Sequence, residues 1–202
     1  MDQSTEKALI ESAKINPEAF GQIFDFYYPK IFSYALKRTG QVEAAQDITS
    51  EVFLHALAKL WQFEWKENVR FSSWLYKIAT NEISNFFRKQ RKVPFSLHSL
   101  MDDETFDVAD KRSLLEEIMT AQQHMEFLTD YATAAKLLQK LPSNYQEVIT
   151  LKYFEHKTNK EISEILEKRE GTIKSLLSRG LKKLQYLLVD SKKEHREEQD
   201  TI

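Results

Sequence analysis

Only four glycines and four prolines punctuate the 202 residues of this chain. These are the residues that most often end helices and shape tight turns. A chain so poor in them is steered toward long helices and away from many short strands. Hydrophobic residues make up 42% of it, enough for a packed core and too many for a disordered protein. The length suits one or two domains. There is no cysteine, hence no disulfide framework, thiolate metal site or cysteine nucleophile, which fits a reducing cytoplasm. The first fourteen residues lack a basic flank followed by an apolar core, so no secretion signal is read there. No run of about 18 apolar residues exists, and no membrane insertion is expected.

Charge is partitioned rather than spread. The formal net charge is −2, yet residues 70–92, RFSSWLYKIATNEISNFFRKQRK, carry six cations (Arg70, Lys77, Arg88, Lys89, Arg91, Lys92) against one acid, Glu82. At about 100° per residue, Leu75, Ile78, Ala79, Ile83, Phe86 and Phe87 fall on one side of a helix. Lys77, Asn81, Ser84, Asn85, Arg88, Arg91 and Lys92 fall on the other, with Trp74 at its edge. Ser72 or Ser73 is the expected cap. Cations hold phosphates, amides read base edges, and a ring can stack on an unpaired base. A core helix with a solvated basic back has the same pattern, and both readings stay open at this point.

Upstream, Asn16-Pro17 opens a helix, Pro29 is expected to break or kink it, and Thr39-Gly40 ends it. Residues 43–60 read as a strong helix. Ile48, Val52, Leu54, Leu57 and Leu60 are placed toward a core, and Gln46, Asp47, Ser50 and Glu51 away from it. The segment WQFEWKENV that follows is too aromatic for an ordinary linker. Its Trp61 is expected in the core, and Phe63 and Trp65 are divided between core packing and base contact.

After Lys92 the composition inverts. Residues 93–110 hold five acids and no Lys or Arg, with Pro94 opposing a helix, and read as a linker. Residues 113–141 read as helix, Ser143 as a cap, and 144–154 as the next helix. Residues 160–166 and 171–189, joined by Glu167-Lys168-Arg169-Glu170, form a helix-turn-helix pattern. In the second helix Ile173, Leu177, Leu181, Leu184 and Leu188 make the expected buried stripe. Thr172, Ser175, Ser178, Arg179 and Lys182 lie opposite, and from 171 to 183 there are four cations and no acid. The charged last dozen residues read as a frayed tail.

The five histidines are scattered without metal-ligand spacing, so no metal site is expected. GxGxxG, GxxxxGK[ST] and GxSxG are all absent. Asp102-Asp103 and Glu116-Glu117 point apart on a helix, which makes them poor catalytic pairs.

Three stretches, in order and spacing, resemble the extracytoplasmic-function (ECF) group of bacterial RNA polymerase sigma factors. AAQDITSEVFLHAL, residues 44–57, is similar to the family's polymerase-binding helix. Asp47, Glu51, Phe53 and Leu54 match, while Ala44, Gln46 and Ser50 replace commoner residues. Residues 71–92 look like its promoter-melting helix. Phe71, Trp74, Leu75, Ile78, Ala79, Asn81 and Arg88 match, with Thr80 and Asn85 where Arg and Asp are usual. Residues 141–184 look like its distal-element helix-turn-helix through Leu141, Pro142, Glu161, Ile162, Leu166, Gly171, Thr172, Lys174, Ser175, Ser178 and Arg179. The departures fall at the turn, Glu167-Lys168-Arg169, and at Leu176, which stands for a usual Arg.

The resemblance implies an all-α protein of two small helical domains joined by an acidic linker, the C-terminal one a helix-turn-helix. Their bounds are 1–92, linker 93–112, 113–190 and a charged tail 191–202. It implies a cytoplasmic initiation factor with no enzymatic activity and no cofactor. Its partners would be core RNA polymerase, promoter DNA and, as often in the family, an anti-sigma factor. Polymerase binding falls to Asp47, Glu51, Phe53 and Leu54. The proximal element and its single strand fall to Phe63, Trp65, Trp74, Lys77, Asn81, Arg88, Lys89 and Arg91. The distal element falls to Thr172, Lys174, Ser175, Ser178, Arg179 and Lys182. Two other readings compete: a stand-alone helix-turn-helix regulator, and a helical scaffold whose basic faces are only solvated.

Overall fold

A computed structural model of the chain describes residues 3–65, 70–92 and 136–199. Every regular element among them is helical. In the first half α1 is Gln3–Ala13, α2 Pro17–Thr39, α3 Val42–Lys59 and α4 Phe71–Lys92, with a short 3₁₀ turn, Leu60–Gln62, after α3. In the second, α5 is Ser143–Ile149 and runs into a π-turn, Thr150–Phe154. Helices α6, Asn159–Leu166, and α7, Glu170–Gln199, follow. The expected linker at 93–112 and the expected helix over 113–135 lie outside the described residues; 136–139 are helical.

The start of α2 follows local chemistry. Asn16 accepts from the Glu18 N–H at 2.9 Å, and Pro17 takes the first helical position. Gly40 ends the helix at φ 71°, where an L side chain would be strained, and its N–H donates to Leu36 O. The break expected at Pro29 is absent, because α2 passes through it. Its ring removes one N–H, while Tyr27, Ile31 and Tyr34 bury the same face on either side of it.

Helix α2 packs on α1, α3 and α4, and α3 packs on α4. Ile23, Ile31, Tyr34, Val52, Leu60, Phe71, Leu75 and Ile83 are buried there. Each such side chain contributes roughly 1.5–3 kcal/mol. In the second half α7 packs on α5 and α6 through Ile149, Ile162, Ile165, Ile173, Leu176 and Leu177. The halves also touch, since α6 lies against α4 and the π-turn against α2.

Several expected faces are corrected. On α3 the core side is Ile48, Val52, Phe53 and Ala56, while Leu54 and Leu57 point to solvent. Ser73 is buried inside α4 and does not cap it. Ser143 makes no capping bond and instead accepts from Arg38, with Pro142 at the cap position. On α7, Leu176 and Gly180 take inward positions that the expected stripe gave to neighbours, and Leu181 is exposed. Gly180 lets the helices approach closely there, since a Cβ would meet Ile149 Cδ1 at 3.0 Å and Tyr145 Cβ at 3.2 Å and those side chains would have to shift. Helix α7 continues to Gln199, through most of the expected tail.

Candidate functional site: three solvent-facing surfaces

The first surface is the outer edge of α3. Asp47, Glu51, Leu54 and Trp61 recur at helical spacing and are all exposed, Leu54 by 60% and Trp61 by 70%. Along this edge the acids come first and the apolar groups follow toward the C-terminal end. Trp61 is held along the helix end by its Nε1–H, which donates to Ala58 O at 3.1 Å. It is thus not the core ring expected. Phe53 departs from the expected set in the other direction: it is buried against Phe24, with ring centres 4.7 Å apart, and Tyr28. Leu57 and Trp61 join the edge although sequence reasoning left them out. Their spacing from Leu54 carried that signal.

The second surface lies on α4. Asn81, Arg88 and Lys89 are exposed, as expected. The Arg88 guanidinium donates to Asn85 Oδ1 at 2.9 Å and so tethers that amide. Glu82, the single acid of the helix, is turned onto His55 Nδ1 of α3 at 3.1 Å. Lys77 bonds Glu167 of the turn at 2.7 Å. The aromatic loop is packed: Phe63 is 3% exposed, within 5.4 Å of the rings of Trp65, Phe71 and Trp74. Lys14 donates to Phe63 O at 2.9 Å and ties the loop to α1. Phe63 is therefore a core ring and offers no face to a base, whereas Trp65 and Trp74 are half-buried. Thr80 is buried with its hydroxyl 3.0 Å from Tyr34 OH. The side chain of Arg91 lies outside those described.

The third surface is the outer face of α7. Thr172, Lys174, Ser175, Ser178, Arg179 and Lys182 are all exposed. Helix α6 presents α7 through a capping box: Thr158 Oγ1 accepts from the Glu161 N–H, and the Glu161 carboxylate accepts from the Thr158 N–H. The turn then places Glu167 in the left-handed region at φ 53°. Leu176, which stands for a usual Arg, is buried and packs in the core of this half.

Between the halves, polar groups meet. Lys37 lies 3.2 Å from Glu155, whose other oxygen accepts from Tyr76 OH at 2.5 Å. Arg38 donates to Ser143 at 2.9 Å and stands 3.6 Å from Glu147. Arg70 stands 3.9 Å from Glu161, and Lys157 donates to Ser72 at 3.0 Å. Burial, and next the Glu155 charge, push the Tyr76 phenol far above its ordinary range. Burial pushes the Lys157 ammonium down, against Glu161 and Glu155. For Glu161 burial pulls upward, but the Thr158 bonds, Lys157 and Arg70 outweigh it and hold the carboxyl below its usual range.

Among the described residues no group of acids and histidines could hold a metal, and no helix is long and apolar enough to cross a membrane. What the arrangement offers is contact: an acidic-apolar edge, a cation-amide face and a hydroxyl-cation face.

Comparison with known proteins bears on these surfaces. The Sigma-70 region 2 family matches residues 23–93 and Sigma-70 region 4 matches 132–184. The chain is 30% identical over 190 residues to the ECF RNA polymerase sigma factor SigW of Bacillus subtilis, spanning 94% of this chain and 100% of that one. It is 28% identical to the ECF sigma factor BldN of Streptomyces coelicolor, over 94% of this chain and 68% of that protein. Among solved structures it resembles the sigma factor RpoE of Bartonella quintana in complex with the anti-sigma factor NepR. That match has TM-score 0.63 and 25% identity, and covers 84% of this chain and 96% of the other. It shares its fold with CnrH, solved with the cytosolic domain of CnrY, at TM-score 0.65 and 19% identity over 92% and 97% of the two chains.

Proposed function

We propose a division of labour for this chain, which belongs to the extracytoplasmic-function sigma factors of bacterial RNA polymerase and serves transcription initiation. As a sigma factor it binds core RNA polymerase and promoter DNA. In our reading the α3 edge, Asp47, Glu51 and Leu54 extended by Leu57 and Trp61, meets the polymerase. Phe53 acts behind that edge, fixing the helix roll that turns Leu54 outward. Arg88, Lys89, Arg91 and Lys77 hold phosphates of the proximal element. Asn81 takes an unpaired base, with Trp74, two turns earlier on the same helix, and Trp65, which packs on the same Phe63 ring, as stacking rings. Thr172, Lys174, Ser175, Ser178, Arg179 and Lys182 face the major groove of the distal element. Strand opening needs capture of exposed bases rather than bond-making, so the chain itself carries no enzymatic step, and its place of work is the cytoplasm. The structurally similar RpoE was captured with an anti-sigma factor, and a protein of that kind is a proposed partner here.

The observation that supports this division is the exposure of Leu54, Leu57 and Trp61 in one stripe with Asp47 and Glu51, on a helix whose other side is fully packed. The test is retention on immobilised core RNA polymerase. The native chain is expected to be retained and the Asp47→Lys/Glu51→Lys variant to be lost. Equal retention of both would remove the α3 edge from the polymerase contact. A stand-alone regulator would have no use for that stripe and would bind its duplex site without polymerase.

A further inference from the structure

Lys14 stands in the turn between α1 and α2, outside residues 23–93 that the region 2 family matches. Its ammonium donates to Phe63 O at 2.9 Å, across 49 residues of sequence, and pairs with Glu11 at 3.0 Å. Phe63 is the residue on which the aromatic loop turns. Its N–H donates to Leu60 O at 3.0 Å, and the backbone then leaves the 3₁₀ turn in an extended conformation. The Phe63 carbonyl lies past the helical ladder, and the Lys14 cation gives it a charge-assisted bond. The Phe63 ring meets Trp65 at 5.4 Å, Trp74 at 5.3 Å and Phe71 at 5.2 Å between centres. The Trp65 indole N–H is buried without a partner among the described residues, so ring contact rather than a polar anchor holds that side chain. We propose that Lys14 is a positioning residue for strand opening: by fixing the Phe63 carbonyl it holds Trp65 and Trp74 in the orientation that accepts unpaired bases. The inference rests on the reading of those two rings as stacking surfaces.

The post that carries Lys14 is rigid. Ile10 and Ala13 are buried and seat α1, while Ser12 O accepts from the N–H groups of both Ile15 and Asn16 and so fixes the turn. The Lys14 side chain is 21% exposed, which shields its bond partly from water and salt. A loop tied to such a post has lost freedom before DNA arrives, and less entropy remains to be lost when a base is captured. Lys14 acts through Phe63 and needs no contact with DNA of its own. The neighbouring α3 edge does not depend on it, because Trp61 has its own tether to Ala58 O. Lys14 is therefore expected to serve opening and not polymerase binding.

The test uses the full chain with core polymerase, on a promoter fragment where the native pair forms an open complex. Opening is read as permanganate reactivity of unpaired thymines. Lys14→Met keeps the apolar stem and removes the donor, and is expected to lower opening about tenfold, within what one stacked base contributes. Lys14→Arg should restore most of it. Glu11→Gln removes the ion pair, leaves the carbonyl bond, and should leave opening unchanged. The deciding readout is a cycle with Trp65→Ala/Trp74→Ala. In that background Lys14→Met should cost nothing further, because it acts only through those rings. An equal further loss there would make Lys14 a merely structural residue and overturn the proposal. So would full opening by Lys14→Met, a Lys14→Arg no better than Lys14→Met, a Glu11→Gln as poor as either, or loss of retention on core polymerase along with opening. Opening unchanged in Trp65→Ala/Trp74→Ala would remove the stacking reading and the inference together. Opening lost there but kept in Lys14→Met would remove the inference alone.

Discussion

Arg38 lies 2% exposed at the end of α2, bonded to Ser143 and facing Glu147. A guanidinium so placed has given up its water, and its worth depends on the acid left opposite. Arg38→Ala is expected to cost about 3–5 kcal/mol in urea unfolding, since it strands Glu147 and opens a cavity. Arg38→Met/Glu147→Met, which removes both charges and keeps the volume, should cost clearly less. The tyrosines behave differently. Burial, the leading cause in each, raises the phenols of Tyr27, Tyr34 and Tyr76 above their ordinary 10.0. Their contribution is complete below pH 10 and is lost as pH rises beyond it, because the unfolded phenols ionise first. Lys157 opposes them, since its lowered value means its burial penalty is relieved as pH rises. Lys30, also lowered by its burial, acts in the same sense as Lys157; the three deeply buried phenols against two ammonium groups predict a melting temperature that falls above about pH 10, checked by calorimetry across that range.

Two glycines within helices carry opposite expectations. Gly21 lies in α2 with no atom within 4 Å of the Cβ it lacks, so Gly21→Ala should stabilise the protein by about 0.5–1 kcal/mol. Gly180 lets α7 approach Tyr145 and Ile149, and Gly180→Val should destabilise by about 1–3 kcal/mol; chemical denaturation separates the two. Among the described residues the helices themselves were legible, because apolar spacing survives with so few interruptions. Which side of α3 is inside was not. That helix has apolar residues nearly all round, so Leu54 and Leu57 compete with Phe53 and Ala56 for the core, and periodicity alone does not choose. The aromatic partners Phe24 and Tyr28 on α2 decide it, and they lie in another element. The Thr158–Glu161 capping box, by contrast, is a local spacing that could have been read from sequence.

The two cationic faces of the molecule were readable from one-signed charge, and their proposed use on DNA is testable. Arg88→Ala should weaken promoter opening and lower the slope of log affinity against log salt by about 0.9, one phosphate's worth, in open-complex titrations. How the halves meet was not readable, since partners such as Lys37 and Glu155 are 118 residues apart. Their meeting depends on the π-turn. There the Glu155 N–H reaches back five residues to Thr150 O at 3.0 Å, instead of four. One extra residue in a helical turn advances everything after it by about 100°. Glu155 therefore arrives at Lys37 and Tyr76 as a matter of phase, and Lys157 at Ser72 by the same offset. The register of one turn works as an angular setting for α6 and α7 against both α5 and the first half, so a single deletion within 150–154 would keep the separate helices and misalign those after the turn with everything before it.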